Sequence, residues 1–493
     1  MKRQILSTLA LTLFLLTANS QTMHVNMGNI SYTIPATQAG EMLFTDGSFL
    51  TIGTKQFSIG EISSISIDDS AVDDNTIRVS YSDNEAQVVI SGNLIPYITA
   101  KVTGAHVAID AAANLEQEVT YTLSGTSANG SFYMDGSYPM NMVLNGLTLA
   151  NPDSAAINIQ DGKKIGIHLV DGTTSQLSDG LTNVTDNGSD GHKAALYVDG
   201  HSSWTGTGTL NLQGKVKHAF SCDEYALLNP GFGAINVVSS INDGFHISQY
   251  FEMQGGTVNI TASGDGIDVE KKKTDKDNNG MMILSGGTLN VTTSGNATKA
   301  LKCESDMVVS GGVITATTTG NAIYDAAEAD ISSNAAAKCD GTFTMTGGTL
   351  SLTSLGTGGK GLNATGAVTI SGGDFTAVTT GGVYTYGALD TKPHAVKSDV
   401  NITLAGGNIL SCASQDNGTA FKSDAYVLTN GATVMGIGGK ATTPSNTSTH
   451  GFKKYTGVKV TGGSQLSYDG VTFSIPSIYN ASSAKVLVSS PSM

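Results

Sequence analysis

Glycine recurs on a regular beat through the second half of the chain, and that beat limits the folds open to it. One glycine from each copy gives Gly208, Gly233, Gly256, Gly287, Gly312, Gly348, Gly373, Gly407, Gly431 and Gly463, with gaps of 25, 23, 31, 25, 36, 25, 34, 24 and 32 residues. A unit of about 25 residues, lengthened only in places, is what a stacked solenoid produces. Before the glycine comes an apolar-x-apolar step (Met307-Val-Val309, Val368-Thr-Ile370, Val458-Lys-Val460). After it comes x-apolar-x-apolar (Thr257-Val-Asn-Ile260, Thr288-Leu-Asn-Val291). A period of 2 on both sides predicts strands with one buried face, and glycine turns the corner between them. A third strand carries a small residue, an apolar one, then Lys and an acid, as in Ala300-Leu-Lys302-Cys-Glu304 and Ala395-Val-Lys397-Ser-Asp399. Strands too short to pair within their own copy must pair with the copies above and below. The expected class is all-β, a parallel β-helix over residues 116–480.

Composition agrees: 60 glycines and 6% aromatics, with 39% hydrophobic residues, enough to build a packed core. Residues 21–115 alternate without the glycine beat and read as a small N-terminal β module. Residues 481–493 read as a C-terminal strand or tail. Residues 1–20 read as a signal peptide: Lys2 and Arg3, an apolar run from Leu9 to Leu16, then Ala18-Asn-Ser20. No other stretch reaches transmembrane length. The expected location is therefore outside the cytoplasm, secreted or at the cell surface, with no membrane insertion. Aligned third strands put Cys222, Cys303 and Cys339 in one column, where neighbours point too nearly parallel for easy bridging. They read as buried free thiols; no CxxC or His pair marks a metal site there.

Several segments carry a family likeness: Asn242-Asp-Gly-Phe-His246, Gly255-Gly-Thr-Val-Asn-Ile-Thr261, Gly264-Asp-Gly-Ile-Asp268, Leu177-Ser-Asp-Gly180 and Gly206-Thr-Gly-Thr-Leu-Asn211. Over roughly residues 120–475 the chain resembles the bacterial carbohydrate-binding β-helix family related in fold to polysaccharide lyases. The resemblance implies a calcium-binding, right-handed parallel β-helix that attaches to plant-type polysaccharides such as cellulose or polygalacturonate. Right-handedness agrees with the rule for parallel crossovers. The capping of the C-terminal end stays open.

Between anchor glycine and third strand, plain copies have 13 residues, whereas Gly312 to Ala336 spans 24, Gly373 to Ala395 spans 22 and Gly431 to Gly451 spans 20. The extra residues emerge at one corner on every second turn, a wall beside a strand face. Its candidate sugar contacts are Tyr324, Tyr384 and Tyr386; equally, these rings anchor their own loops. Another insertion follows Glu270 and contains Asp275-Lys-Asp277-Asn-Asn279-Gly280, the first half of a calcium loop. The expected cofactor is calcium, held by Asp265, Asp268, Glu270, Asp275, Asp277 and Asn279. The alternative is a solvated turn whose lysines neutralise its acids.

The net charge of −15 repels nucleic acid. It would also repel a uronate polymer unless calcium bridges the carboxylates. Beyond Arg3 the sole arginine is Arg78, outside the repeats, so arginine-based pectate lyase chemistry is not expected. A lysine-based lyase stays open, with Lys271 or Lys302 as base. Yet Lys302, Lys338, Lys397 and Lys422 recur in one column with acids two residues on, which reads as a structural ladder. The sequence therefore points to an exported, calcium-dependent, non-catalytic polysaccharide-binding protein, oligomeric state open. The alternatives are a lysine-based lyase and a surface adhesion or structural protein.

Overall fold

The computed structural model describes residues 21–40, 42–52, 55–180, 194–239, 241–272, 276–429 and 431–493. The segment read as a signal peptide lies outside the described residues. The protein is all-β; the described helices are Ala36–Ala39 and the 3-10 turn Gly92–Leu94. Each repeat supplies three short strands, and each strand pairs in parallel with its counterparts one repeat before and after. Met281–Leu284 lies between Tyr250–Met253 and Met307–Val309. Thr288–Thr293 lies between Thr257–Ala262 and Val313–Thr318. Lys299–Cys303 lies between Ile267–Val269 and Ala335–Cys339.

The period of 2 explains this packing. Val258, Ile260, Leu289, Val291, Ile314 and Ala316 point inward and are buried. The intervening Asn211, Asn236, Asn259 and Asn290 point outward, and the carboxamides of Asn236, Asn259 and Asn290 each donate at 2.9 Å to the one on the preceding strand. The glycine corner is required twice over. Gly287 has φ +81°, and a Cβ there would lie 2.6 Å from the carbonyl oxygen of Gly256 in the preceding repeat. Both the left-handed backbone and the close stacking exclude a side chain.

The cysteine column is as expected. Cys303 faces Cys339 directly, Cys222 reaches the same column through Ile247 and Val269, and all four cysteines are free and buried. Cys412 lies on a different ladder, in the strand Asn401–Cys412.

The ends differ from the repeat. Parallel pairing begins early: Thr76–Ser82 pairs with Val119–Ser127, and Ala105–Ala111 with Gly130–Asp135. One apolar core runs from Met23 through the repeats to Leu428 and Val434. The last glycine copy is corrected by the structure. Lys453–Val460, which precedes Gly463, pairs antiparallel with Ala481–Ser489, and that strand pairs antiparallel with Ala432–Gly438. A second apolar cluster (Met435, Ile437, Val458, Val460, Tyr479, Val486) fills this end. Among the described residues no helix is long and apolar enough to cross a membrane.

Candidate functional site

Two of the lengthened turns fold into hairpins. Ile323–Asp325 pairs antiparallel with Asp330–Ser332, and Tyr384–Tyr386 with Leu389–Thr391. They come from alternate repeats and lean together. Tyr324 and Tyr386 stack with ring centroids 4.1 Å apart and planes 10° apart. Ser333 and Thr391 are 3.0 Å apart through their hydroxyls. Tyr386 is 51% exposed, beside exposed Ile323 and Leu389, so the stack presents an open aromatic and apolar surface. Tyr384 is half-buried and has no ring partner among the described residues. Each stacked ring thus braces the other hairpin, and Tyr386 keeps much of its surface free.

Lys360 pins the roots of both hairpins. It is 4% exposed, and its Nζ donates to the carbonyls of Gly358 (2.7 Å) and Lys392 (2.8 Å) and to the hydroxyl of Thr391 (2.9 Å); Ser333 lies at 3.3 Å. Burial, reinforced by nearby Lys397, lowers its pKa to about 7. One repeat on, His394 occupies the same column; burial and four surrounding lysines lower it to about 3, so it is neutral. Beside these residues opens a depression of about 730 Å³ lined by Lys397, Lys422, Lys440 and Lys485 together with the Asp390–Lys392 edge of the second hairpin.

The outward column of the third ladder runs Ser221, His246, Asp268, Lys302, Lys338, Asn363, Lys397, Lys422. Its chemistry changes sign along the stack. At the acidic end, Asp243 lies 3.2 Å from His218 Nδ1 and 3.5 Å from His246 Nδ1, and His246 Nε2 lies 3.8 Å from Glu270. The two imidazoles stack at 4.4 Å. Burial alone would raise Asp243, but the contacts of His218 and His246 outweigh it and hold its carboxyl below the usual range. Burial works against a charged His246, yet Asp243, Glu270 and Asp268 raise it. Burial lifts Asp268 to about 6 despite Lys302 at 2.8 Å, and lifts Asp265 as well. Lys302 itself is raised, since Asp268 and Asp265 outweigh its burial.

The six expected metal ligands divide. Asp268 and Glu270 converge with His246, their ligand atoms lying within 4.8 Å of one another; His218, Asp243 and His246 form an adjoining group. Asp265 lines a shallow depression at this acidic end together with Asp243, His246, Asp268 and Glu270. Asp275 lies outside the described residues. Asp277 is exposed and enters neither group. Asn279 turns back on its own loop: its Oδ1 accepts from the Lys272 N–H at 2.8 Å, and its Nδ2 donates to the Lys272 carbonyl at 3.0 Å. The lysines of this insertion reach Glu224, Lys272 at 3.2 Å and Lys276 at 3.8 Å. The half-calcium-loop pattern is thus used, at Asn279, to close a turn. Sequence reading missed His218, Asp243 and His246. The signal was present in the register, since Asp243-Gly-Phe-His246 and Asp265-Gly-Ile-Asp268 occupy the same positions one repeat apart.

Asp268 Oδ1 is buried without a hydrogen-bond partner, an orphan that a cation would satisfy. Carboxylates at Asp265, Asp268 and Glu270 suit calcium, whereas the imidazoles suit a softer ion such as zinc.

The chain belongs to a family of carbohydrate-binding proteins: the family described as "Carbohydrate-binding domain-containing protein" matches residues 103–383, more than half of its length. The match takes in the first hairpin, the acidic end of the column and Lys360. Among solved structures, the polysaccharide lyase-like protein from C. thermocellum (gadolinium derivative) aligns at 19% identity and a TM-score of 0.43, covering 55% of this chain and 96% of that one. No curated protein matches.

Proposed function

We propose that this protein is an exported, right-handed parallel β-helix that binds an extended polysaccharide along one long face without cleaving it. The observation that carries this reading is the paired hairpin wall. Tyr324 and Tyr386 present a stacked aromatic edge beside a regular strand face, within a chain of the carbohydrate-binding family. Parallel pairing of all three strand types, repeat after repeat, supports the helical coil. A polymer lying along such a face touches several repeats at once, so weak contacts add as multivalent binding.

A lysine-based lyase needs an ammonium that loses its proton and faces substrate. Lys302 is held charged by Asp268 and Asp265. Lys360 has a suitable pKa, but its Nζ is buried and donates to three oxygens of its own chain. Neither is placed to act as a base; Lys271, the other candidate from the sequence, is exposed on the insertion, its backbone N–H donating to Glu304 at 2.8 Å.

Calcium belongs to the same proposal, at Asp265, Asp268 and Glu270, with His246 adjoining. Calcium at this site raises the melting temperature by mass action. Asp268→Asn with Glu270→Gln removes the shift, and Asp277→Ala leaves it intact. A larger shift with zinc than with calcium would reassign the ion to the imidazole pair.

Pull-down with insoluble plant polysaccharides tests the function. Retention by at least one polymer, with no release of soluble fragments, is expected. Fragments bearing unsaturated ends would replace this reading with the lyase.

A further inference from the structure

We propose that the lysine-lined depression is a metal-independent subsite for an anionic sugar residue, one bearing a carboxylate or a sulfate ester. The inference rests on the carbohydrate-binding reading and adds the charge of the sugar and the residues that meet it.

The first observation is charge segregation. The chain carries 41 acids against 26 Lys and Arg, for a net −15, yet Lys360, Lys392, Lys397, Lys422, Lys440 and Lys485 gather around one depression. Lys397 pairs with Asp399 at 2.5 Å and Lys392 with Asp390 at 2.9 Å. Lys422, Lys440 and Lys485 make no ion pair among the described residues, and all three are exposed. A protein with acids in surplus leaves these ammoniums unneutralised, side by side, at one concave place. Like charges so placed repel, and an anion among them converts that repulsion into attraction.

The second observation is independent of charge. His394 is 8% exposed, borders the depression, and its Nδ1 is buried with no hydrogen-bond partner. An orphaned ring nitrogen on a residue bordering the depression is a polar group that an oxygen of a bound sugar would satisfy. Lys360, fully engaged with neutral oxygens of its own chain, contributes field to the site and holds its rim in place.

The location names the ligand class. The edge Asp390–Lys392 belongs to the hairpin that carries Tyr386, so a saccharide lying on the aromatic edge continues into the depression. Nucleic acid, with a charge on every residue of a long backbone, would meet the acids that dominate the rest of the surface.

The test measures wild-type affinity for an oligogalacturonate, a sulfated galactan oligosaccharide and a cello-oligosaccharide, all in EDTA. At least one anionic ligand should bind, more weakly as salt rises. In the triple variant Lys422→Gln, Lys440→Gln, Lys485→Gln that affinity falls at least tenfold, while cello-oligosaccharide affinity and melting temperature hold. Arginine at the three positions restores binding. The stronger anionic arm identifies carboxylate or sulfate ester as the group recognised. Anionic binding unchanged in the triple variant, or abolished by EDTA in the wild type, overturns the proposal. Wild-type binding of the neutral ligand alone also overturns it and leaves the carbohydrate-binding reading standing. Binding of none of these ligands, and of no insoluble polymer, defeats both.

Discussion

Tyr324 and Tyr386 lie face to face, centroids 4.1 Å apart, although one repeat separates the two hairpins that carry them. The contact makes one wall of two loops, and Lys360 beneath it ties the roots of both together. Where the wall meets solvent, Tyr386, Ile323 and Leu389 form an exposed apolar edge.

Tyr386→Ala should separate the mechanical role of this pair from its binding role. An aromatic pair contributes about 0.5–1.5 kcal/mol beyond the area it buries, so with Tyr386 half exposed the unfolding free energy should drop by about 1–2 kcal/mol. Affinity for a long oligosaccharide should fall several-fold, read by titration calorimetry. A stability loss with unchanged affinity would reduce the pair to a loop anchor.

The glycine beat gives a prediction on the fold. Gly407→Ala would place a Cβ 2.3 Å from the carbonyl oxygen of Gly373 at φ +82°, so backbone must shift in two repeats. Gly463→Ala has φ +78° and nothing within 4 Å. The first should cost about 3 kcal/mol or more and the second about 1 kcal/mol, from denaturant unfolding. Equal costs would mean that the repeats do not stack this closely.

Much of the fold is legible in the residues themselves. The period of 2 on both sides of a glycine, and small residues such as Ala300, Ala336 and Ala395 in one register, suffice to stack the repeats. The same period hides the end of the stack, because Val458-Lys-Val460 alternates identically in a parallel or an antiparallel partner. The metal-ligand cluster is hidden differently. His218, Asp243, His246 and Asp268 come from successive repeats, and the same columns carry Lys299 and Lys302 one repeat later. Spacing within one loop draws the eye to Asp275 and Asp277 instead. The lysine depression joins Lys485 on the C-terminal strand to Lys360, a meeting that only the closing antiparallel strand creates.

The cysteine column predicts a chemical outcome. Burial raises the thiols of Cys222 and Cys339 to about 12, and those of Cys303 and Cys412 are raised too. Alkylation of the native protein at pH 8 should leave all four unmodified, and alkylation after denaturation should label all four. A disulfide between Cys303 and Cys339 would contradict the register.

Lys360 predicts a pH dependence with a definite sign. Its pKa falls from the ordinary lysine value of about 10.4 to about 7 on folding, so between those values the unfolded chain binds more protons. Its contribution to stability is least favourable below pH 7 and improves as pH rises toward 10. The groups facing it are Lys397, Lys392, neutral His394 and Asp390. The unfolding free energy of wild type minus Lys360→Met should therefore increase from pH 6.5 to pH 9. The buried tyrosines and thiols are common to both proteins and cancel. A flat difference would mean that the ammonium is solvated.

The central claim is that one long face of the coil binds an extended polysaccharide and leaves it intact. Affinity against oligosaccharide length, with ultraviolet absorbance followed for unsaturated products in the same samples, tests it most directly. The account predicts affinity that climbs with each added sugar until the ligand spans the face, with no absorbance gained. Affinity indifferent to length, with unsaturated products that a lysine variant no longer makes, would contradict it.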